Sequence, residues 1–505
     1  MSTAAAHGSR NVSTAAAHLR EKCSRCVCVV GGGFSGLASA LLFAEKGFGV
    51  LIIDTAPAGG ATGSAAAAGL LDPLSPKGKV LWAGTEALAA AKRLLARCDQ
   101  CSKDAESRPS AVQTPCLHVP RGQKDAAALQ EAAEKLDPAF DATWCRDASS
   151  LEGAHGVRLP LGGLLCRRNS LVVDSGVYLR RLWEAIQQTT AALWLKKRIE
   201  HCQALSELFD VVILAAGSGL TRITEARHLP LDLSRGQVLE YSRPALGPGS
   251  EPPAALPDDE TLHPASAVHD EQPAHLEQIR LLQVALVGAA YVVPHMRRLD
   301  CGGTYESIHG GQQSQAILPR QPAQATLRST PRRPLKPSEP DAAVAEAMLA
   351  GQLTELFPPI GTLLGHTQRV ARAGVRAAPP RTELGSVPLA ARAHTGAGVR
   401  NVWLIGGLGS RGLLYHAILA EWLVDAAVSC DATKLPEPVR RCGFGELLCE
   451  KLAVLAARQQ KATREGEPIV EESGVFSNSK SVPPFEACPE IHPSRHRDVT
   501  DTFVN

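Results

Sequence analysis

One stretch near the start limits the possible folds more than anything else in the chain. The apolar run Cys26–Val30 enters the turn Gly31-Gly32-Gly33-Phe34-Ser35-Gly36, in which the glycines at 31, 33 and 36 spell G-x-G-x-x-G. A helical pattern follows, with Leu37, Leu41, Leu42 and Ala44 on one side, then Gly47 and the run Val50–Ile53 ending on Asp54. Strand, glycine turn, helix and second strand make a complete βαβ unit. Its glycines let backbone amides approach a pyrophosphate at the positive end of the helix, and an acid at the end of the second strand accepts both hydroxyls of a ribose. Asp54 stands 18 residues after Gly36, close to the spacing this geometry asks for. By itself the unit does not separate NAD from FAD.

The same alternation recurs downstream, where the β-branched runs Val211–Leu214 and Val402–Ile405 sit between helical patterns. Alternating strands and helices predict an α/β fold with a parallel sheet, with antiparallel pairing around Gly236–Tyr241 and Val284–Pro294. A chain of 505 residues has room for about three domain-equivalents. Its 44% hydrophobic and 21% charged residues exclude a wholly disordered chain or a coiled coil. The net charge of +2 gives no global field for gathering nucleic acid, so any such contact has to be local. The apolar run Leu281–Val293 is shorter than the ~18 residues of a bilayer span and contains Gln283, so no membrane partner is expected. Gly78-Lys79 lacks the upstream glycine of a Walker loop, and neither G-x-S-x-G nor H-E-x-x-H occurs. Cys23-x-x-Cys26 and Cys98-x-x-Cys101 are separated by 71 residues, far beyond the ~15–20 of a zinc ribbon, and no metal is expected. Fourteen cysteines spread over so long a chain suit a reducing compartment better than a disulfide scaffold.

Residues 1–22 carry the string Ser-Thr-Ala-Ala-Ala-His twice and no acid before Glu21, which reads as a low-complexity leader. An acid-free start of this composition matches an organellar transit peptide, chloroplast ahead of mitochondrion, or else a floppy tail in the cytoplasm. Pro-rich insertions are read at 242–280 and 307–340, with seven and six prolines, and residues 433–505 as a C-terminal extension and disordered tail.

Further motifs follow in a fixed order: Gly60-Ala61-Thr62-Gly63-Ser64, Asp210-Val211-Val212-Ile213-Leu214-Ala215-Ala216-Gly217, Ser234-Arg235-Gly236-Gln237-Val238, Tyr291-Val292-Val293-Pro294, Gly302-Gly303-Thr304-Tyr305-Glu306, Gly374-Val375-Arg376, and Gly406-Gly407-Leu408-Gly409-Ser410-Arg411-Gly412-Leu413. In this order they resemble the D-amino-acid oxidase family of FAD-dependent oxidoreductases. The Gly-Ser-Arg-Gly-Leu ending most resembles the oxidoreductase half of the bacterial bifunctional enzymes that modify the wobble uridine of tRNA. The matching segments span roughly half of the chain. Two departures lie on the substrate side: His295 after Pro294, and Ala377 after Arg376, where the family commonly has arginine and proline.

The resemblance implies a discontinuous Rossmann-type FAD-binding domain, 23–110, 167–232 and 386–432, with an inserted α+β substrate domain on a mixed sheet, 111–166 and 233–385. It implies non-covalent FAD, since Ala377-Ala378-Pro379-Pro380 has no cysteine where relatives attach flavin. Candidate cofactor residues are Gly31, Gly33, Phe34, Ser35, Gly36, Asp54, Gly63, Ser64, Ala216, Gly217, Gly409, Ser410, Arg411, Gly412 and Leu413. A helix N-terminus at Gly412 suits the isoalloxazine end, because it stabilises negative charge on the reduced ring. Arg411 reinforces that charge or meets an anionic substrate. Arg376 is the candidate anchor for a substrate carboxylate, which a guanidinium matches bidentately, although Arg369, Arg372, Arg376 and Arg381 also read as a solvated face or a phosphate-binding strip. Tyr305 and His295 are candidates for lining the pocket.

The expected activity is FAD-dependent oxidation of a carbon–nitrogen bond, with oxygen or another electron acceptor. The first substrate expectation is the carboxymethylaminomethyl group of tRNA wobble uridine. The second is free glycine, sarcosine or a D-amino acid, with release of hydrogen peroxide. A third reading is a flavin-binding or RNA-interaction protein without chemistry. For tRNA, the cations Lys196-Lys197-Arg198, Arg297-Arg298, Arg332-Arg333 and Arg369 to Arg376 would have to gather beside the flavin.

Overall fold

The structure, a computed structural model, describes residues 3–440 except 58, 61–62, 102–108, 147–155, 228, 244–270, 305, 310–311, 314–338, 365–369 and 394–400. The chain divides into two compact units, Met1–Ala457 and Arg458–Asn505, and the second, with the expected tail, lies outside the described residues.

Runs that are apolar at every position, rather than at every second one, require cover on both faces of a sheet. The strands β1 (Arg25–Val30), β2 (Phe48–Asp54), β9 (Ala192–Lys196), β10 (Val211–Leu214) and β19 (Val402–Gly406) meet that requirement in one parallel array, and β18 (Leu389–Arg392) adds an antiparallel edge. The order is β18-β19-β10-β1-β2-β9. On one face Val27, Val29, Ile52, Ile213 and Ile405 pack under α2 (Phe34–Glu45), α3 (Gly84–Gln100), α5 (Ser175–Thr189) and α9 (Gly412–Ser429). Helix α9 has the length and hydropathy of a membrane span, yet two thirds of it is buried inside the fold (67%), as a core helix should be.

The opposite face is covered in part by residues of the 1–22 stretch. They form α1 (Thr3–Lys22), whose Val12, Ala16 and Leu19, spaced one and two turns apart, are buried with Cys26, Cys28, Val30 and Leu51. The helix is fastened at its end, where Arg20 pairs with Asp210 at 3.4 Å. Alanine, serine and threonine surround this narrow apolar stripe. Leu19→Ala should therefore lower stability by about 2–5 kcal/mol, as at a core site, while Glu21→Ala on the exposed side stays within about 0.5 kcal/mol. Urea midpoints measure both, and a silent Leu19→Ala would show that α1 contributes little to the core.

The second sheet has β11 (Asp232–Ser242) as its hub, antiparallel to β14 (Arg298–Gly302), β15 (Glu306–His309) and β17 (Val370–Ala378). It continues through β13 (Tyr291–Pro294), β12 (Ala285–Val287), β5 (Cys116–His118), β7 (Gly163–Cys166) and β6 (Ala142–Cys145), with β16 (Gln312–Gln313) at the other edge. The β12–β5 pair is parallel, so the sheet is mixed. A small sheet of β3 (Leu70–Leu71), β8 (Leu171–Val173) and β4 (Ala111–Gln113) lies beside both, and residues 111–113 accordingly pair with residue 171–173 partners rather than with the large sheet. Shorter helices are α4 (Gln123–Lys135), α6 (Gln203–Leu208), α7 (Glu271–Leu281), α8 (Ala342–Leu356) and α10 (Glu437–Arg440).

Two of the expected additions are partly built into the core. Helix α7 falls mostly inside the Pro-rich 242–280 stretch, yet its Ile279 is fully buried against β11 and α8 residues such as Leu239 and Leu349. Leu435 and Val439, placed in the extension by the sequence, share the core of α9. Most of 307–340 lies outside the described residues.

Candidate active site

The parallel strands of the first sheet end together, and a cavity of about 680 Å³ opens beyond those ends. Parallel sheets present their ligand crevice there because the loops leaving neighbouring strands diverge. Gly31, Gly33, Phe34 and Ser35 leave β1, Asp54 ends β2, Ala216 and Gly217 follow β10, and Gly409, Ser410, Arg411, Gly412 and Leu413 follow β19, all lining one wall. Gly63 and Ser64 line it as well, and the opposite wall comes from the second sheet: Gly236, Val238, Tyr291, and Ala373 to Ala377 with Arg376.

The glycine turn is shaped by its neighbours. Gly31 has φ +114°, a region that L side chains avoid, and a Cβ there would sit 2.4 Å from the Ala215 carbonyl oxygen. At Gly33 a Cβ would meet the Ser64 hydroxyl at 2.8 Å, and that hydroxyl accepts the Phe34 N–H at 3.1 Å. Gly36 departs from its expected place: it does not line the cavity. It lies where α2 crosses β1, and a Cβ would fall 1.9 Å from the Gly31 carbonyl oxygen, so it sets helix–strand packing and only thereby the turn. Gly32, not singled out in the sequence, is held against the Trp194 ring, which a Cβ would meet at 2.2 Å. Asp54 faces the cavity and also clamps the turn, accepting the Gly32 N–H at 2.6 Å and the Ala56 N–H at 2.8 Å. A side-chain-free cradle, an exposed helix end and an acid at the second strand are what a dinucleotide such as FAD requires, and these residues fit it.

Arg376 rises from β17, beside Ser234 of β11, and its guanidinium lies across Gly236, where a Cβ would sit 2.4 Å from Cζ. One nitrogen donates to the Thr304 carbonyl at 3.3 Å. Gly374 serves the other side of the strand: the loop at Gly63 and Ala66 comes within 3.0–3.1 Å of where its Cβ would be. Tyr291 is a lining residue that sequence reasoning passed over. Burial pushes its phenol up, while the Arg376 charge pulls it down. Only its place on β13, across from β14, brings it near Arg376. Tyr305 lies outside the described residues. His295 does not line the cavity; its ring sits behind the Ala68 loop, with Nε2 2.8 Å from the Ala68 carbonyl and 3.1 Å from Asp300.

The expected cluster of arginines is dispersed. Arg372 turns inward to Asp300, a contact closed also by Arg298 at 3.2 Å, and donates to the Ala65 carbonyl at 3.1 Å. Burial works to raise the Asp300 carboxyl, but His295, Arg372 and Arg298 together hold it below the usual range. Arg381 is exposed, and Arg369, Arg332 and Arg333 lie outside the described residues. Lys197 and Arg198 line the cavity beside Asp54: the Lys197 N–H donates to the Asp54 carbonyl at 2.8 Å. Of the cations proposed for RNA, Lys197 and Arg198 thus line the cavity, while Arg298 and Arg372 are tied to Asp300.

Under the wall, His416 of α9 is fully buried, with Nδ1 2.9 Å from the Leu413 carbonyl and Nε2 2.8 Å from the Tyr178 hydroxyl. Burial lowers its pKa to about 4, against about 6.5 in an unfolded chain. Between those values the unfolded state binds the extra proton. Stability from this group is complete above about pH 6.5 and declines as pH falls, by about 2 kcal/mol at pH 5. Urea unfolding at pH 7 and pH 5 should show that loss, and His416→Gln should remove it; an equal slope in the variant would dismiss the histidine as its source.

Comparison with known proteins adds three findings. A family description reading FAD dependent oxidoreductase (DAO) matches residues 26–426. The tRNA 5-methylaminomethyl-2-thiouridine biosynthesis bifunctional protein MnmC of Azoarcus sp. (strain BH72) is 26% identical over 437 residues, covering 81% of this chain and 57% of that protein, so the chain spans little more than half of that relative. Among solved structures, glycine oxidase from Geobacillus kaustophilus is similar with a TM-score of 0.57 at 17% identity, over 82% of this chain and 97% of that one. Iminodiacetate oxidase from Chelativorans sp. BNC1 gives a TM-score of 0.54 at 14% identity, over 82% and 98%. At such identities the likeness shows the fold.

Proposed function

The chain belongs to the FAD dependent oxidoreductase (DAO) family, and from that premise we propose that it oxidises the carbon–nitrogen bond of an amine bearing a carboxylate, first of all the carboxymethylaminomethyl group at the wobble uridine of tRNA. The observation that carries this reading is Arg376, whose guanidinium lies over Gly236 in the same cavity as the glycine turn. When bound, FAD supplies the hydride acceptor. The residues of the chain bind and orient. Gly31, Gly33, Phe34, Ser35, Asp54, Ala216 and Gly217 hold the ADP part, and Gly63 and Ser64 run beneath the pyrophosphate. The α9 N-terminus at Gly409 to Leu413 and the Arg411 guanidinium oppose negative charge at the ring end. Arg376 takes the substrate carboxylate as a fork, with Tyr291 beside it.

The tRNA reading is supported by the relative whose name specifies a tRNA uridine biosynthesis and which matches 81% of this chain. One observation favours a free small amino acid instead: Arg298 and Arg372 are tied to Asp300 and do not form a strip for phosphates. Anaerobic bleaching of the flavin separates the two. We expect bleaching by tRNA carrying the carboxymethylaminomethyl group, weakening as salt rises, and little by glycine, sarcosine or D-alanine. Rapid bleaching by a free amino acid alone would install the second reading, and silence from both would leave a flavin-binding protein without this chemistry.

FAD is held without a covalent bond on this proposal, because no cysteine or histidine is among the described residues lining the cavity. Acid precipitation should leave all yellow colour in the supernatant; colour in the pellet would refute it. Electrons pass on to oxygen or another acceptor. An organellar address, chloroplast first, rests on the composition of residues 1–22, and since Leu19 is part of the core, any processing on import has to leave the second half of α1 attached.

A further inference from the structure

Outside the glycine turn and the Arg376 wall, a fully buried group of potential ligands stands behind the cavity. Asp72, just after β3, meets Cys116 and His118 of β5, and their ligand atoms all lie within 4.8 Å of one another. We propose that Asp72, Cys116, His118 and Cys166 form a structural zinc site that ties β5 and β7 to the cofactor wall.

Two edges of the group have the lengths of a tetrahedral zinc site. Bonds of roughly 2.0–2.3 Å to oxygen, nitrogen and sulfur place neighbouring ligand atoms about 3.3–3.7 Å apart. His118 Nε2 lies 3.3 Å from Asp72 Oδ2 and 3.7 Å from Cys116 Sγ. Cys116 and His118 are two residues apart on a strand, so their side chains share one face. Cys166 is directly opposite Cys116 in the β5–β7 register, so its side chain shares that face; it stands outside the 4.8 Å group formed by the other three, and the proposal assigns it the fourth position by a side-chain rotation toward them.

The surroundings orient the ligands. Asp72 Oδ1 accepts the Leu74 N–H at 3.3 Å and the Ser170 hydroxyl at 3.4 Å, which leaves Oδ2 toward the group. The His118 ring, 1% exposed, makes its polar contacts through Nε2, and its Nδ1 has no partner among the described residues. A buried carboxylate is costly without a cation, and Zn²⁺ offsets most of the charge of one carboxylate and two thiolates. Binding releases two thiol protons to solvent and changes no oxidation state. The remaining negative charge faces Arg411, whose guanidinium is 3.5 Å from the Asp72 carbonyl. No sequence spacing announces such a site, because 43 residues separate Asp72 from Cys116 and 47 separate His118 from Cys166.

The test uses the full chain with its flavin, purified without chelator. Elemental analysis should find about one zinc per chain, and growth with cobalt should give the intense visible bands of tetrahedral Co²⁺ with thiolate charge transfer in the near ultraviolet. Cys116→Ser and His118→Gln should each reduce the metal to less than about a tenth, and Cys166→Ser should roughly halve the charge-transfer band. Flavin content and circular dichroism report whether each variant is folded. Should the variants fail to fold, cobalt titration of the chelator-treated wild type decides: saturation near one equivalent with tetrahedral bands supports the site. Absence of metal from the wild type together with no cobalt uptake, or full metal content in folded Cys116→Ser, overturns it and leaves a hydrogen-bonded cluster.

Discussion

Gly36→Ala is expected to give a protein that retains no FAD and has lost its cooperative thermal transition near that of the wild type. The added methyl would lie 1.9 Å from the Gly31 carbonyl oxygen, 3.0 Å from its carbon and 3.3 Å from a methyl of Val29. The first two neighbours are backbone of the turn that cradles the pyrophosphate, so relief requires lifting α2 off β1. That exceeds the ~1–3 kcal/mol of ordinary core overpacking, which is relieved by side-chain shifts. Gly47→Ala is the control. Its φ of +79° makes alanine strained by roughly 1–2 kcal/mol, but nothing lies within 4 Å, and flavin should be retained. The ratio of flavin to protein absorbance and the melting temperature read both variants. A yellow Gly36→Ala protein melting like the wild type would show that the turn tolerates displacement.

Arg376→Ala should leave FAD bound and reduce kcat/KM by about 10²–10⁴-fold, the effect of about 3–5 kcal/mol when a buried carboxylate loses its charged partner. Arg376→Lys should recover little, since a point charge does not reproduce the fork. Gly236→Ala offers an independent approach to the same contact. Its methyl would lie 2.4 Å from the guanidinium carbon and push the fork out of position without removing it. Added guanidinium ion should partly restore the alanine variant, which has room for it above Gly236. Unchanged turnover in Arg376→Ala would take this residue out of the site.

The legible parts of this protein are those where a local pattern and its packing environment coincide. Val211–Leu214 could be read to the residue because a parallel strand covered on both faces is apolar throughout. The turn at Gly31 could be read because a backbone with φ near +114° accepts little besides glycine. Helix α1 was obscured because Val12, Ala16 and Leu19 are a thin stripe in a repeat-like stretch. Arg298 and Arg372 looked like surface cations, and no pattern could have shown that Asp300, two and 72 residues away, neutralises both inside the fold. Gly374 was grouped with Arg376 as one motif, whereas its own task is steric, admitting the loop at Gly63 and Ala66. Tyr291 and Gly32 depend on neighbours from distant segments, Arg376 and Trp194, and only folding brings these together.

Arg372 gives the two walls a common mechanics. Its side chain reaches from β17 through the Asp300 pair to the Ala65 carbonyl, in the loop next to Ser64. The strand that carries Arg376 and the loop that closes on the dinucleotide are therefore crosslinked by one side chain. If bound FAD holds that loop, the crosslink carries the restraint on to the arginine wall. Linkage then makes the effect mutual: a carboxylate gripping the wall must tighten the hold on the flavin by the same factor by which flavin tightens the grip on the carboxylate. On the proposed function, the cofactor and the substrate would be heterotropic ligands of one another.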